Sequence, residues 1–214
     1  MMKLAIIGAT GFVGRVAVNE ALARGHEVTA IARHTKDLPT NSHLHIALGD
    51  VTDIDWLAQT LKGVDAVISA FNPGWTDPDL YANFVKGSNA ILKAVEKSGV
   101  KRFLVVGGAG SLEVAPGVEL IDTPQFPAEI RPGAQGAREL RDALRAGSSL
   151  DWTVLSPAAM LAPGQRTGNF RLGTTSLLMN GDAPANISVE DLAVAILNEI
   201  EQPQFIKQQF TAAY

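Results

Sequence analysis

A doubly wound α/β fold, one parallel sheet with helices on both faces, is predicted by three observations. Short apolar runs of strand length alternate with longer stretches whose apolar residues recur at helical spacing. The first run, LAIIGA at 4–9, leads through glycines at 8, 11 and 14 into a helical pattern. The 214 residues, 46% of them hydrophobic, suffice for one sizeable core, so 1–214 reads as a single domain.

The elements follow in order. LAIIGA is near-continuously apolar, as a parallel strand buried on both faces requires. Residues 12–24 read as a helix with Val13, Ala17, Ala21 and Leu22 on one side and Gly25 as its stop. EVTAIA (27–32) and LHIALGD (44–50) are the second and third strands. Asp53 caps a helix running to about Leu61, and DAVISAF (65–71) is the fourth strand. Asp77, with Pro78 at the first helical position, opens a long helix whose apolar face is Leu80, Phe84, Ile91 and Val95. KRFLVVGG (101–108) is the fifth strand. Residues 109–132 hold Pro116, Pro124, Pro127 and Pro132 and read as irregular, and a helix resumes near Gly133 and runs to Ala146. Its Arg138, Arg141 and Arg145 read as a solvated face. DWTVLSPA (151–158) is the sixth strand and 163–186 a glycine-rich loop. In SVEDLAVAILNEIE (188–201), Ser188 caps and Asp191 stands three residues on, a variant of the capping box. QQFTAA near the end is a further strand.

Composition narrows the function. The absence of cysteine excludes disulfides and thiolate chemistry, and four scattered histidines without HExxH give no metal site. A net charge of −4 is not the footprint of a nucleic-acid binder. No apolar run is long enough for a signal peptide or a membrane span, which reads as a cytoplasmic protein.

The glycine loop lies between a strand and a helix, the context a dinucleotide site needs. Gly8 takes the tight turn, Gly11 lets backbone approach a phosphate, and Gly14 lets helix and strand pack closely. The second strand ends IARHTK, with Arg33 and His34 and no carboxylate before Asp37. An arginine there suits the 2′-phosphate of NADP, whereas an acidic residue would suit the ribose of NAD. NADP(H) is therefore expected in preference to NAD(H).

GATGFVGR, the SAF–P segment after strand four, TPQFPAE, and LSPAAMLAPGQRTG followed by ISVEDLAVA resemble the bacterial NADH-flavin reductase group of the atypical short-chain dehydrogenase/reductase families. The chain is also similar to biliverdin reductase B, a flavin reductase, and more distantly to NmrA-like regulators. The resemblance spans nearly the whole chain and implies a Rossmann-type NAD(P)-binding fold with a small C-terminal substrate-side region. It implies that Gly8, Thr10, Gly11, Phe12, Val13 and Gly14 line the pyrophosphate and that Arg33 meets the 2′-phosphate. Asp50 and Val51 would flank the adenine. Ser69, Ala70, Phe71, Gly107 and Gly108 would follow the cofactor toward its nicotinamide, which Ser156, Pro157 and Ala158 would border.

The classical Y-x-x-x-K pair of short-chain dehydrogenases is missing. The tyrosines are Tyr81 and Tyr214; Lys86 lies five residues after Tyr81, not four, and the other tyrosine is the last residue. Alcohol–ketone chemistry thus lacks its usual acid. Flavin reduction needs no such acid, only orientation and a flat apolar slot. Phe71, Trp75, Phe126, Met160 and Phe170 lie on loops that can form one. Ser111 is the one hydroxyl near the classical serine position, and Arg166 can grip a substrate phosphate or carboxylate. The expected function is hydride transfer from NADPH to a flavin, as substrate and not prosthetic group, or to a similar small flat acceptor. A non-catalytic NADP(H) sensor of the NmrA type and a reductase of a carbonyl substrate using Ser111 are the alternatives.

Overall fold

The computed structural model describes residues 1–214. Apart from two short hairpins, its strands are β1 (Lys3–Ile7), β2 (Glu27–Ala32), β3 (Leu44–Leu48), β4 (Ala66–Ser69), β5 (Arg102–Val106), β6 (Asp151–Pro157), β7 (Met160–Ala162), β8 (Arg171–Gly173), β9 (Asn186–Ser188) and β10 (Gln208–Ala213). The helices are α1 (Gly14–Ala23), α2 (Ile54–Thr60), α3 (Leu80–Ser98), α4 (Arg131–Arg145) and α5 (Val189–Glu201). Eight strands form one sheet in the order β8-β10-β6-β5-β4-β1-β2-β3. All neighbours are parallel except the edge strand β8, which runs antiparallel to β10. The Rossmann-type α/β class expected from the sequence is thus the observed fold.

Two apolar layers sandwich the sheet because alternate strand residues face opposite sides. Leu4, Ile6, Ile68, Leu104 and Leu155 pack toward α1 and α5. Ala5, Ile7, Val67, Val105 and Val154 pack toward α2, α3 and α4. Strand order reverses between β1 and β4, and ligands of open α/β sheets bind at such a point, beyond the carboxyl ends of the strands.

Several local expectations are corrected. The α3 helix begins at Leu80, not Pro78, because Asp77 uses its carboxylate on the backbone N–H of Asp79 (2.8 Å) and on Asn83 Nδ2 (3.0 Å). The 109–132 stretch contains two short 3₁₀ turns and a hairpin, Glu113–Ala115 with Val118–Glu119. The 163–186 loop contains β8 and a second hairpin, Met179–Asn180 with Ala183–Pro184. Arg141 is not solvated: it is 4% exposed and pairs with Glu119 at 2.7 Å. Ser188 caps α5 by accepting from Asp191 N, but the Asp191 carboxylate does not return the bond and serves another segment. No helix is long and apolar enough to cross a membrane.

Candidate cofactor cleft and acceptor corner

The glycine loop sits at the switch point. Gly8 has φ +76°, and a Cβ there would lie 2.6 Å from the Ala70 carbonyl oxygen at the end of β4. A Cβ on Gly14 would lie 2.0 Å from Gly8 O. Both glycines therefore bring α1, β1 and β4 together. The α1 N-terminus begins after Val13 with no side-chain cap, and the N–H groups of Phe12 and Val13 find no acceptor in the protein. Free donors at the positive end of a helix are the chemistry a pyrophosphate needs. Thr10 lies within this loop, and Phe12, on its rim, is 43% exposed.

At the far side, Arg33 and His34 are exposed beyond β2, with Asp50 exposed and Val51 half-buried beyond β3. Asp50 accepts from Thr52 N and Oγ1, both at 2.8 Å, and these bonds hold its carboxyl below the ordinary value. The positive charges of Arg33 and Lys86 act in the same direction. This end of the cleft therefore carries free cations.

The β4 and β5 ends form the other half. Ser69 is buried and Ala70 half-buried. The Phe71 ring turns inward onto Gly87 and lies 6.0 Å from the Phe84 ring. Gly107 and Gly108 follow β5, and a Cβ on Gly107 would approach Val154 Cγ1 to 3.0 Å. Ser156, Pro157 and Ala158 end β6 with their side chains buried.

Ser111 is 4% exposed and its hydroxyl is enclosed. It donates to Gly108 O (3.0 Å), lies 3.1 Å from Ser156 Oγ and accepts from Gln209 Nε2 (3.1 Å). Gln209 also donates to Ser156 Oγ at 3.0 Å. The group expected as a proton donor is instead part of a closed network tying the β5 end to β6 and β10.

Beyond β4 the chain forms a corner with α4. Trp75 is 60% exposed and stands against Gly133 of α4, where a Cβ would meet its ring at 2.8 Å. A depression of about 340 Å³ opens beside it. Phe126 is not in this slot. It is 7% exposed and packs with Ile121 and Ala134, capped by the Arg131 guanidinium 5.4 Å from its ring centre. Met160, on β7, is 62% exposed; Phe170 is half-buried against the α1–α5 layer.

Arg166, expected to grip a substrate anion, is paired within the chain. Its Nε and Nη2 both donate to the nearly buried carboxylate of Glu20 on α1, at 2.7 Å each. The bond from Arg166, aided by Arg24, lowers the Glu20 pKa against the opposing effect of burial. The adjoining loop is fastened to α5. Asp191 accepts from Thr167 N, Gly168 N and Thr167 Oγ1, and from the phenol of Tyr214 at 2.8 Å. Burial alone would raise the Asp191 pKa, but these donors leave it lowered. Glu20, Asp191, Gln209 and Tyr214 were not singled out from the sequence for these contacts; only Asp191, three residues after a capping serine, carried a local signal.

The comparisons with known proteins agree with this fold. A family model described as NAD(P)H-binding matches residues 8–203, and the chain belongs to that family. YwnB of Bacillus subtilis (strain 168) is 37% identical over 213 residues, 98% of this chain and 97% of the relative. A structure provisionally named an epimerase, from Bacteroides thetaiotaomicron, superposes with TM-score 0.93 at 43% identity, covering 100% of this chain and 97% of the other. One provisionally named an NADH-flavin reductase, from Streptococcus pneumoniae TIGR4, has TM-score 0.87 at 36% identity, with 100% and 99% covered. The chain is thus an atypical short-chain dehydrogenase/reductase relative with an NAD(P)H-binding, oxidoreductase-type fold.

Proposed function

We propose that the protein is an NADPH-dependent reductase that delivers a hydride to a flavin or a similarly flat small molecule such as a quinone. The observation that carries this reading is that the two hydroxyls considered as proton donors, Ser111 and Tyr81, are both already engaged within the chain. Ser111 is sealed in its network, and the Tyr81 hydroxyl donates to Glu139 at 2.6 Å, a bond that raises its pKa. A carbonyl substrate needs an acid in place; an electron-poor ring takes its proton from water after the hydride.

NADPH, when bound, supplies the hydride. The chain's own part is to hold and orient. The Phe12 and Val13 N–H groups would bind the pyrophosphate and Arg33 the 2′-phosphate. The ends of β4, β5 and β6 would carry the nicotinamide to the corner beside Trp75. The flavin is a substrate in this reading, not a resident group.

The test is loss of reduced-nicotinamide absorbance with riboflavin, FMN and simple quinones. Turnover with at least one acceptor is expected, and Arg33→Ala should weaken NADPH binding by about tenfold or more while leaving NADH nearly unchanged. Tight NADPH binding without turnover on any acceptor would replace this reading with a nucleotide sensor. Equal losses for both nucleotides would remove the role of Arg33.

A further inference from the structure

Charge is distributed unequally along the cleft. At the adenosine end, Arg33 and Lys86 act on Asp50 and have no ion-pair partner of their own within salt-bridge distance. At the opposite corner every nearby arginine is already engaged. Arg131 donates to the carbonyls of Ile121 and Phe126 and covers the Phe126 ring. Arg138 is held by Asp122 at 2.8 Å and Arg141 by Glu119.

The depression at that corner is walled by Trp75, Pro78 and Pro132 and by Asp77, whose carboxylate is spent on Asp79 N and Asn83 Nδ2, with Asp79 and Glu129 also on its lining. Asp79 makes no cap bond to α3, and neither carboxylate has a cationic partner. The volume, about 340 Å³, lies at the small end of the ~300–1,000 Å³ range of ligand sites. An exposed indole beside prolines suits a flat ring, and the free carboxylates repel an anion.

Resting on the reductase reading, we infer that the acceptor is a flat ring bearing no phosphate or carboxylate, with Asp79 and Glu129 as the residues that select against an anionic tail. A riboflavin-type or quinone ring fits; FMN and FAD are disfavoured. The corner that receives the acceptor has the opposite charge character from the end that receives the adenosine phosphate.

Flavin fluorescence quenching tests this by equilibrium binding, independently of turnover. Riboflavin should bind the NADP⁺-saturated protein about tenfold more tightly than FMN at low ionic strength, and added salt should narrow the gap. An Asp79→Asn/Glu129→Gln variant should raise FMN affinity toward that of riboflavin, with NADP⁺ affinity unchanged. The inference is overturned if FMN binds as tightly as riboflavin at low salt. It is overturned too if the variant leaves their ratio unmoved, or if neither flavin binds. Oxidation of NADPH is scored separately: its absence with every acceptor counts against the reductase reading, whereas the order of the two affinities decides the charge selection.

Discussion

Gly14 and Gly11 lie three residues apart in one loop and face different constraints. A Cβ on Gly14 would sit 2.0 Å from the Gly8 carbonyl oxygen, a backbone atom that cannot move without separating α1 from β1. A Cβ on Gly11 would sit 3.1 Å from the same oxygen, and its φ is one any residue adopts. Gly14→Ala should therefore cost about 3 kcal/mol, the upper range for overpacking, and Gly11→Ala about 1 kcal/mol or less. Denaturant midpoints check this. Gly11→Ala should also stay folded yet lose nucleotide affinity, because its methyl would stand where the backbone must approach the pyrophosphate. Comparable destabilisation by the two substitutions would mean that the loop yields more than its backbone contacts imply.

At the scale of elements, α5 is locked to the sheet by one buried carboxylate. Glu199, 3% exposed, accepts from Arg102 Nη2 at 2.8 Å and from Thr153 Oγ1 at 3.1 Å. It also accepts from the backbone N–H groups of Gln204 and Phe205, which begin the return to β10. Glu199→Ala should cost about 3–5 kcal/mol in denaturant unfolding, because it strands a half-buried guanidinium and two backbone donors. Replacing Arg102 and Glu199 together by leucine should cost clearly less than the sum of the two single changes. The lock was invisible in the sequence because its partners lie 97 residues apart. What was legible was local: the apolar runs of β1, β2, β4, β5 and β6, and the Asp53 and Ser188 caps, both of which accept the expected backbone bonds. Asp77 misled because an aspartate can fold its own turn as readily as it caps a helix. The glycine loop was readable as the close turn between β1 and α1 because its three glycines lie together along the chain, and Gly8 and Gly14 do make those backbone approaches. The fates of Ser111 and Arg166 were not, since Gln209 and Glu20 reach them from strands and helices far away in sequence.

The whole molecule should be acid-sensitive through the face where α1, α5 and the 164–168 loop meet. Three carboxylates there have lowered pKa values. Glu20 is lowered first by its bond from Arg166; Glu201 and Asp191 are lowered by their donors in spite of burial. A carboxyl whose pKa is depressed by folding binds protons more readily when unfolded, so its contribution is fully present above the ordinary value, 4.5 for Glu20 and Glu201 and 3.8 for Asp191. It is lost as pH falls through the lowered value. The denaturant midpoint should thus hold steady from neutral pH to about 5 and decline below it. A Glu20→Gln/Asp191→Asn variant should be less stable at neutral pH, because Arg166 loses its anion and the Thr167 and Gly168 donors lose a charged acceptor. The same variant should decline less steeply in acid, having two fewer carboxyls to protonate. Parallel declines would place the acid-sensitive groups elsewhere. A shallower decline would identify this face, opposite the α3–α4 corner, as what releases the 164–168 loop first on acidification, and faster hydrogen exchange at Thr167 and Gly168 before global unfolding should accompany it.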